Sequence, residues 1–496
     1  MQAKSDHMVQ LRESCGLIGI HSFGKNDVSF GLFSGLVALQ HRGQDSAGIC
    51  TYDTKSAEGN NLRLKKGMGL VSEVFPGDEY LKLNGFAGIG HVRYPTIGVL
   101  LANEAHPILW SQGGITVAAA QNGNVANYGA LRKKLEKSEG FNFQTKSDTE
   151  LLAALFCSEL AKTGSCFAAA EKCMKTLDGS YATVIMTSAG DLVAFRDVHA
   201  IKPLLYGQDN DKIIFASESV ALDINSIPIK EDLKPGEIMV VDAKGRITRQ
   251  VFKSGARRAS CMFEYVYFSR PDSTMDGRLV YSVRQQLGRL LARQRPTEAD
   301  LIVAVPDTAR AAAEGYSEQT KLPVVEGLIK NRYVGRTFIM PSQAKRLASV
   351  RLKLNAVSGL VKGKRIILLD DSIVRGTTMG PIVRLLKDAG ATEVHVRITC
   401  PPIISPCFYG IDIPTYRELI ATRMSVEQIA KHIGADSLEY ISIDNLVAAI
   451  GMKKNELCLG CVTGDYVTEY GKKLAIKLKK EENVDVATRI WEQDIK

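Results

Sequence analysis

No stretch of this 496-residue sequence approaches the ~18 consecutive apolar residues of a membrane-spanning helix, and the opening MQAKSDHMVQLRES lacks an apolar core of signal-peptide length. A cytoplasmic chain with no membrane partner is expected. Internal repeats and low-complexity segments are also missing, so neither a solenoid nor a disordered array is expected. No helix-turn-helix or winged-helix segment accompanies the net charge of +9, and nucleic acid is not an expected partner. Lys and Arg are spread along the chain, and the one cluster, Lys472 to Lys480, reads as a solvated helix face. Ten cysteines without a secretory signal point to thiol chemistry or metal rather than a disulfide framework.

The sequence that is present divides into two halves, as its length permits. From residue 15 to about 250, β-type runs (Cys15 to His21, Phe86 to Val92, Ile115 to Ala120, Tyr181 to Thr187, Asp191 to Arg196, Lys212 to Ala216) alternate with helical periods at Val28 to Gln40, Tyr128 to Ser138 and Thr149 to Thr163. This predicts an α+β half. From about 260 each strand is followed by a helix: Leu301 to Val305 then Ala309 to Thr320, and Arg365 to Leu369 then Met379 to Ala389, before Glu393 to Thr399. That order predicts a parallel, doubly wound α/β sheet. Lys253 to Arg258 reads as a polar linker, which places the boundaries at 15–255 and 256–470 with a helical tail over 471–496.

The run Ile366 to Thr378 carries the most chemistry. An apolar strand ends in Asp370 and Asp371, and Ser372, Ile373, Val374, Arg375, Gly376, Thr377 and Thr378 form a turn whose N–H groups suit a phosphate. Paired carboxylates suit ribose hydroxyls and Mg2+, which prefers hard oxygen ligands. Asp307 and Thr308 open a second helix as a pyrophosphate loop would, with Thr308 adding a hydroxyl to the Mg2+ shell. Lys330, Arg332, Arg351 and Lys353 lie on a cationic segment suited to close over a leaving pyrophosphate. The thirteen residues resemble the phosphoribosylpyrophosphate (PRPP) motif of type I phosphoribosyltransferases.

Cys15 begins the first strand, where a lone Cys is ordinarily an apolar filler. The segments Leu39 to Gly48, Gly90 to Thr96, Gln121 to Asn124 and Lys146 to Glu150 follow in order and, with Cys15, resemble the class II glutamine amidotransferases. That resemblance implies an αββα Ntn-hydrolase sandwich and removal of a leader, residues 1–14, to leave Cys15 N-terminal. A free α-amine, with a pKa of about 8, is then a base for the thiol of the same residue. The resemblance assigns Cys15 as nucleophile, Asn122 and Gly123 as the oxyanion hole, Arg93 and Asp148 as partners of the glutamine carboxylate and ammonium, and Arg42, Tyr94 and Thr96 as nearby binding residues.

Together the halves resemble the amidophosphoribosyltransferases over residues 13 to 470, with Phe263 to Ser273 a particularly specific match. The implied reaction converts PRPP, glutamine and water to 5-phosphoribosylamine, glutamate and pyrophosphate, with ammonia passed internally. Inhibitory purine nucleotides and a homotetramer are implied as well. Cys458 and Cys461 form a CxxC that, with Cys261 and Cys407, would complete a four-thiolate site; spacing alone allows structural zinc or an iron–sulfur cluster. One branch of the family carries a [4Fe-4S] cluster at matching positions, which is the expectation here, with Cys50, Cys157, Cys166, Cys173 and Cys400 as ordinary thiols.

Several residues depart from the family pattern. Val198, Ala200 and Lys202 stand where relatives carry Pro, Gly and Arg, and Gln121 stands where His usually precedes Asn-Gly. A divergent member using mainly free ammonia is therefore an alternative reading. A PRPP-sensing regulator and a sugar isomerase are weaker ones, the first leaving the amidotransferase half unexplained and the second disfavoured by Asp370, Asp371 and the cationic segment.

Overall fold

The computed structural model describes residues 15–54, 61–94, 102–252, 255–331, 352–411, 413 and 415–480. The expected leader, Thr96, Arg332, Arg351, Lys253, Ser254 and the tail beyond 480 lie outside the described residues.

Two antiparallel sheets stack in the first half. One has seven strands, with Gly16–Ser22 between Ala87–Arg93 and Lys212–Ala216; the other has six, with Gly179–Thr187 between Ile115–Val125 and Leu192–Arg196. Side chains alternate along a strand, so each sheet buries two faces. Leu17, Ile89, Ala118, Ala120, Ala182 and Val184 fill the space between the sheets. The outer face of the seven-stranded sheet packs Ile18, Ile20 and Ile49 against Leu32 and Leu36 of helix Ser29–Ala38. Helices Asp148–Thr163 and Cys166–Thr176 cover the six-stranded sheet. The result is the αββα sandwich expected.

The second half is a five-stranded sheet, parallel throughout, in the order Val324–Val325, Leu301–Ala304, Arg365–Asp370, Glu393–Ile398, Ser437–Tyr440. Its central strands are near-continuous apolar runs because helices cover both faces. Helix Val280–Gln294 packs on Arg310–Thr320 closely enough that Gly288 and Gly315 each lie where a Cβ would strike the other helix's carbonyls.

One reading of the sequence changes. Strand Ile115–Val125 runs five residues beyond Ala120, so Asn122 and Gly123 sit in a strand. Just beyond the polar segment Lys253 to Arg258, Ala259 and Cys261 donate to the carbonyls of His199 and Ile201, and Ser260–Cys261 pairs in parallel with Leu457–Cys458. Strands Ser46–Tyr52 and Leu62–Met68, which the apolar pattern did not reveal, complete the edge of the larger sheet.

Candidate active sites

Cys15 is half-exposed at the mouth of the first strand. Gly16 pairs with Val92 and Leu17 with His91, so Cys15 and Arg93 share one end of the seven-stranded sheet. The Nε2–H of His91 donates to the Gln121 carbonyl at 2.9 Å and thereby ties that end to the other sheet. Burial lowers the His91 pKa to about 3, which keeps the ring neutral. Its neighbour His106 lies with ring centroids 4.3 Å apart, tilted by 40°, and meets Ser147 Oγ at 3.1 Å. The sequence reading gave neither histidine a role.

One residue beyond Gln121, the Asn122 side chain is 1% exposed, and neither of its amide atoms has a hydrogen-bond partner among the described residues. Such an amide costs free energy unless a ligand satisfies it. Gly123 has φ +143°, and a Cβ there would lie 2.1 Å from the Ser180 carbonyl oxygen, so only glycine fits. Asp148 opens its helix and accepts from Val125 N at 2.9 Å and Gln121 Nε2 at 3.2 Å. The non-family Gln121 thus braces Asp148. Arg93 donates to the Glu104 carbonyl, and Tyr94 is buried.

Arg42 stands beside the same sheet end, where a Cβ on Gly16 would lie 3.3 Å from the Arg42 Cβ. It is buried in a network with Glu218, Glu264 (2.7 Å) and Ser269 Oγ (2.9 Å), while Lys202 Nζ reaches Glu264 at 3.2 Å. Arg42, Lys202 and Glu218 belong to the first half and Glu264 and Ser269 to the second, so the Arg42 guanidinium ties the halves together. Sequence reasoning assigned no role to Glu218, Glu264 or Ser269, although the last two fall inside the specific run Phe263 to Ser273.

In the second half, Asp370 ends its strand and accepts from Asp371 N at 2.9 Å. Asp371 accepts from Ser372 Oγ at 2.6 Å and from Thr308 Oγ1. Burial, then the charge of Asp371, pushes the Asp370 pKa well above the usual carboxylate range, and burial raises that of Asp371. An acid pair that accepts from hydroxyl and amide donors, the Thr308 hydroxyl among them, fits a hard cation. Gly376 takes φ +75° in the turn, and Thr378 immediately precedes helix Met379–Asp388. Arg375 pairs with Glu418 at 2.7 Å, and Lys330 with Asp307 at 2.9 Å. Arg284, unassigned from sequence, donates to the carbonyls of Tyr265 and Tyr267 at 2.9 Å and of Ser269 at 2.7 Å, with its charge toward Asp371.

Comparison with known proteins follows these two sites. Residues 91–223 match the glutamine amidotransferase domain and residues 283–403 the phosphoribosyl transferase domain. The chain is 46% identical to amidophosphoribosyltransferase of Methanothermobacter thermautotrophicus, covering 92% of this chain and 95% of that one. It is 45% identical to the enzyme of Bacillus subtilis, again covering 92% and 95%. A solved glutamine PRPP amidotransferase from B. subtilis, complexed with ADP and GMP, superposes with a TM-score of 0.84 at 42% identity over 95% of this chain and 99% of that one.

The chain belongs to the amidophosphoribosyltransferase family. It is a phosphoribosyltransferase with a glutamine amidotransferase domain, which converts PRPP, glutamine and water to 5-phosphoribosylamine, glutamate and diphosphate at the first step of de novo purine biosynthesis. No helix among the described residues is long and apolar enough to cross a membrane.

Within this amidophosphoribosyltransferase the departures are absorbed locally. Ala200 takes the left-handed φ of +51° that the family's glycine would favour, and the turn persists because Arg196 donates to the carbonyls of Ala200 and Lys202 while Asp197 accepts from the N–H of His199 and Ile201. Lys202 is fully buried. Burial alone would lower its pKa, but Glu264, Cys261 and Cys407 hold it above the usual lysine value.

The four cysteines expected to act together are each 8% exposed. Cys261 pairs in register with Cys458, the Cys461 carbonyl accepts from Ile404 and Ser405 N–H, and Tyr409 N–H donates to Cys407 Sγ at 3.4 Å. Burial raises the Cys261, Cys458 and Cys461 thiols, and the charges of neighbouring cysteines, Cys407 among them, raise each further. Among the described residues, no group of three or more His, Cys, Asp or Glu side chains is arranged to hold a single metal ion.

Proposed function

We propose that Cys15, freed as the N-terminal residue by loss of residues 1–14, hydrolyses glutamine in the unit spanning 15–255, and that the ammonia attacks PRPP in the unit spanning 256–470. The α-amine takes the thiol proton and the thiolate attacks the carboxamide carbon. Asn122 Nδ2 and Gly123 N–H receive the oxyanion, ammonia leaves, and water releases glutamate from the thioester. Arg93 binds the substrate carboxylate and Asp148 its ammonium, with Arg42, Tyr94 and Thr96 as the nearby binding residues. The observation that carries this reading is the buried Asn122 amide, without a hydrogen-bond partner among the described residues and one residue beyond the Gln121 carbonyl that His91 ties to the sheet of Cys15.

In the second site Asp370 and Asp371 orient the ribose, residues Ser372 to Thr378 enclose the 5-phosphate, and Asp307, Lys330, Arg332, Arg351 and Lys353 surround the pyrophosphate. Asp370, Asp371 and Thr308 would hold Mg2+, which when bound offsets the charge of the leaving pyrophosphate. Cys261, Cys407, Cys458 and Cys461 would hold a [4Fe-4S] cluster, the ligand set that the family resemblance implies; all four are buried, Cys261 stands in register with Cys458, and Lys202 supplies a nearby positive charge. Its chemistry here is structural, joining the carboxyl-terminal segment to residue 261. Purine nucleotides as inhibitors, a homotetramer and a cytoplasmic location complete the reading. The retained turn at Asp197 to Lys202 does not favour the ammonia-only alternative.

Cys15→Ala tests the reading. Glutamine-dependent synthesis should disappear while ammonia-dependent synthesis stays, because the two sites use separate residues. Loss of both in a folded variant overturns it.

A further inference from the structure

The strand that carries Asn122 and Gly123 is gripped from the other half of the chain. Asn124 and Ser180 stand opposite each other in the ladder between Ile115–Val125 and Gly179–Thr187. Asn124 Nδ2 donates to the Phe408 carbonyl at 2.9 Å, and Ser180 Oγ to the Tyr409 carbonyl at 2.7 Å. Both bonds are buried. Between them Gly123 meets Gly410, where a Cβ would lie 3.2–3.3 Å from the Gly123 Cα, carbonyl carbon and oxygen.

The ledge that makes these contacts is itself braced. The Phe408 ring packs against Tyr466 at 4.6 Å, Tyr409 OH accepts from Thr468 N at 3.0 Å, and Cys407 N donates to the Ile413 carbonyl at 2.9 Å. Two side-chain hydrogen bonds to successive carbonyls fix a strand in height and twist together. One alone would leave a pivot.

We propose that Asn124, Ser180 and Gly410 are positioning residues for glutamine hydrolysis, through which the phosphoribosyltransferase half sets the geometry of the Asn122–Gly123 oxyanion site. The inference rests on the assignment of Asn122 and Gly123 above. Oxyanion donors act on charge that develops only in the transition state, so a small displacement of Gly123 lowers kcat while leaving ground-state binding by Arg93 and Asp148 largely intact. The ammonia-dependent reaction does not use this site.

The experiment compares Asn124→Ala, Asn124→Asp, Ser180→Ala and Gly410→Ala with the unmodified chain and Asn122→Ala. The first and fourth should lower glutamine-dependent kcat about 10-fold, less than loss of an oxyanion donor itself, with glutamine KM within about twofold and ammonia-dependent synthesis unchanged. Asn124→Asp keeps the shape but removes the donor, so it should lose as much as Asn124→Ala. Ser180→Ala should show a smaller loss of the same kind. If Gly410→Ala does not fold, the Asn124 pair decides. A rise in KM at constant kcat, or a parallel fall in ammonia-dependent synthesis, overturns the proposal. An Asn122→Ala protein with full glutaminase overturns the oxyanion assignment itself.

Discussion

Arg42 and Glu264 meet across the two halves of the chain, Nη2 to Oε2 at 2.7 Å, with both side chains shielded from water. Glu218 and Lys202 complete an alternating set of buried charges. Buried pairs of this kind contribute little net stability as pairs, yet removing one member leaves the others uncompensated.

That asymmetry sets the acid stability of the junction. Burial would raise the Glu264 pKa, but Arg42 and Lys202 outweigh it and hold the group down to about 2. A carboxylate depressed in the folded state contributes stability above its unfolded value of about 4.3, and the contribution is lost as pH falls from there toward 2. The thermal midpoint should therefore hold from pH 7 to about 5 and fall steeply below about 4. Glu264→Gln should cost about 3 kcal/mol at pH 7 and flatten the acid slope; an unchanged slope would remove Glu264 from the account.

Ala200 carries a backbone conformation that costs a side chain roughly 1 kcal/mol. Ala200→Gly should stabilise the amidotransferase half by about that amount, read as a higher urea midpoint at constant m-value. A lower midpoint would show that the turn does not hold its left-handed form in solution.

Asp370→Asn or Asp371→Asn should impair PRPP-dependent synthesis by about 10² to 10³, in line with other electrostatic site residues. Glutamine hydrolysis without PRPP should change little. Stimulation of that hydrolysis by PRPP, expected in the unmodified enzyme, should vanish in the double variant. Stimulation that persists with normal PRPP affinity would place the ribose elsewhere.

Anaerobically purified protein should be brown and contain about four irons per chain, one at each thiolate corner. Stoichiometric zinc without iron would defeat the cluster assignment. Cys458→Ser should lower stability without altering glutamine KM, because a structural centre contributes to folding.

Intact mass should correspond to a chain beginning at Cys15. A retained leader in enzyme that still hydrolyses glutamine would rule out the α-amine as base.

Much of this protein was legible in one dimension because its signals are local. Apolar runs ending in Asp370 and Asp371, and strands alternating with helices after residue 300, are consequences of short-range periodicity, and they determined the parallel sheet and the place of the PRPP turn at its carboxyl edge. Motif order likewise placed Cys15, Asn122, Gly123 and Asp148 in one half. What periodicity did not carry was contact between distant segments. His91 and Gln121 are 30 residues apart, Asn124 and Phe408 are 284, and Arg42 and Glu264 are 222. Such pairs form because burial strips water from polar groups and obliges each to find a partner, and which partner is at hand depends on how sheets and halves pack. The sequence by itself determined the two chemistries and their order; only the tertiary structure decided that Arg42 closes the junction and that the Phe408–Gly410 ledge reaches the strand of Asn122 and Gly123.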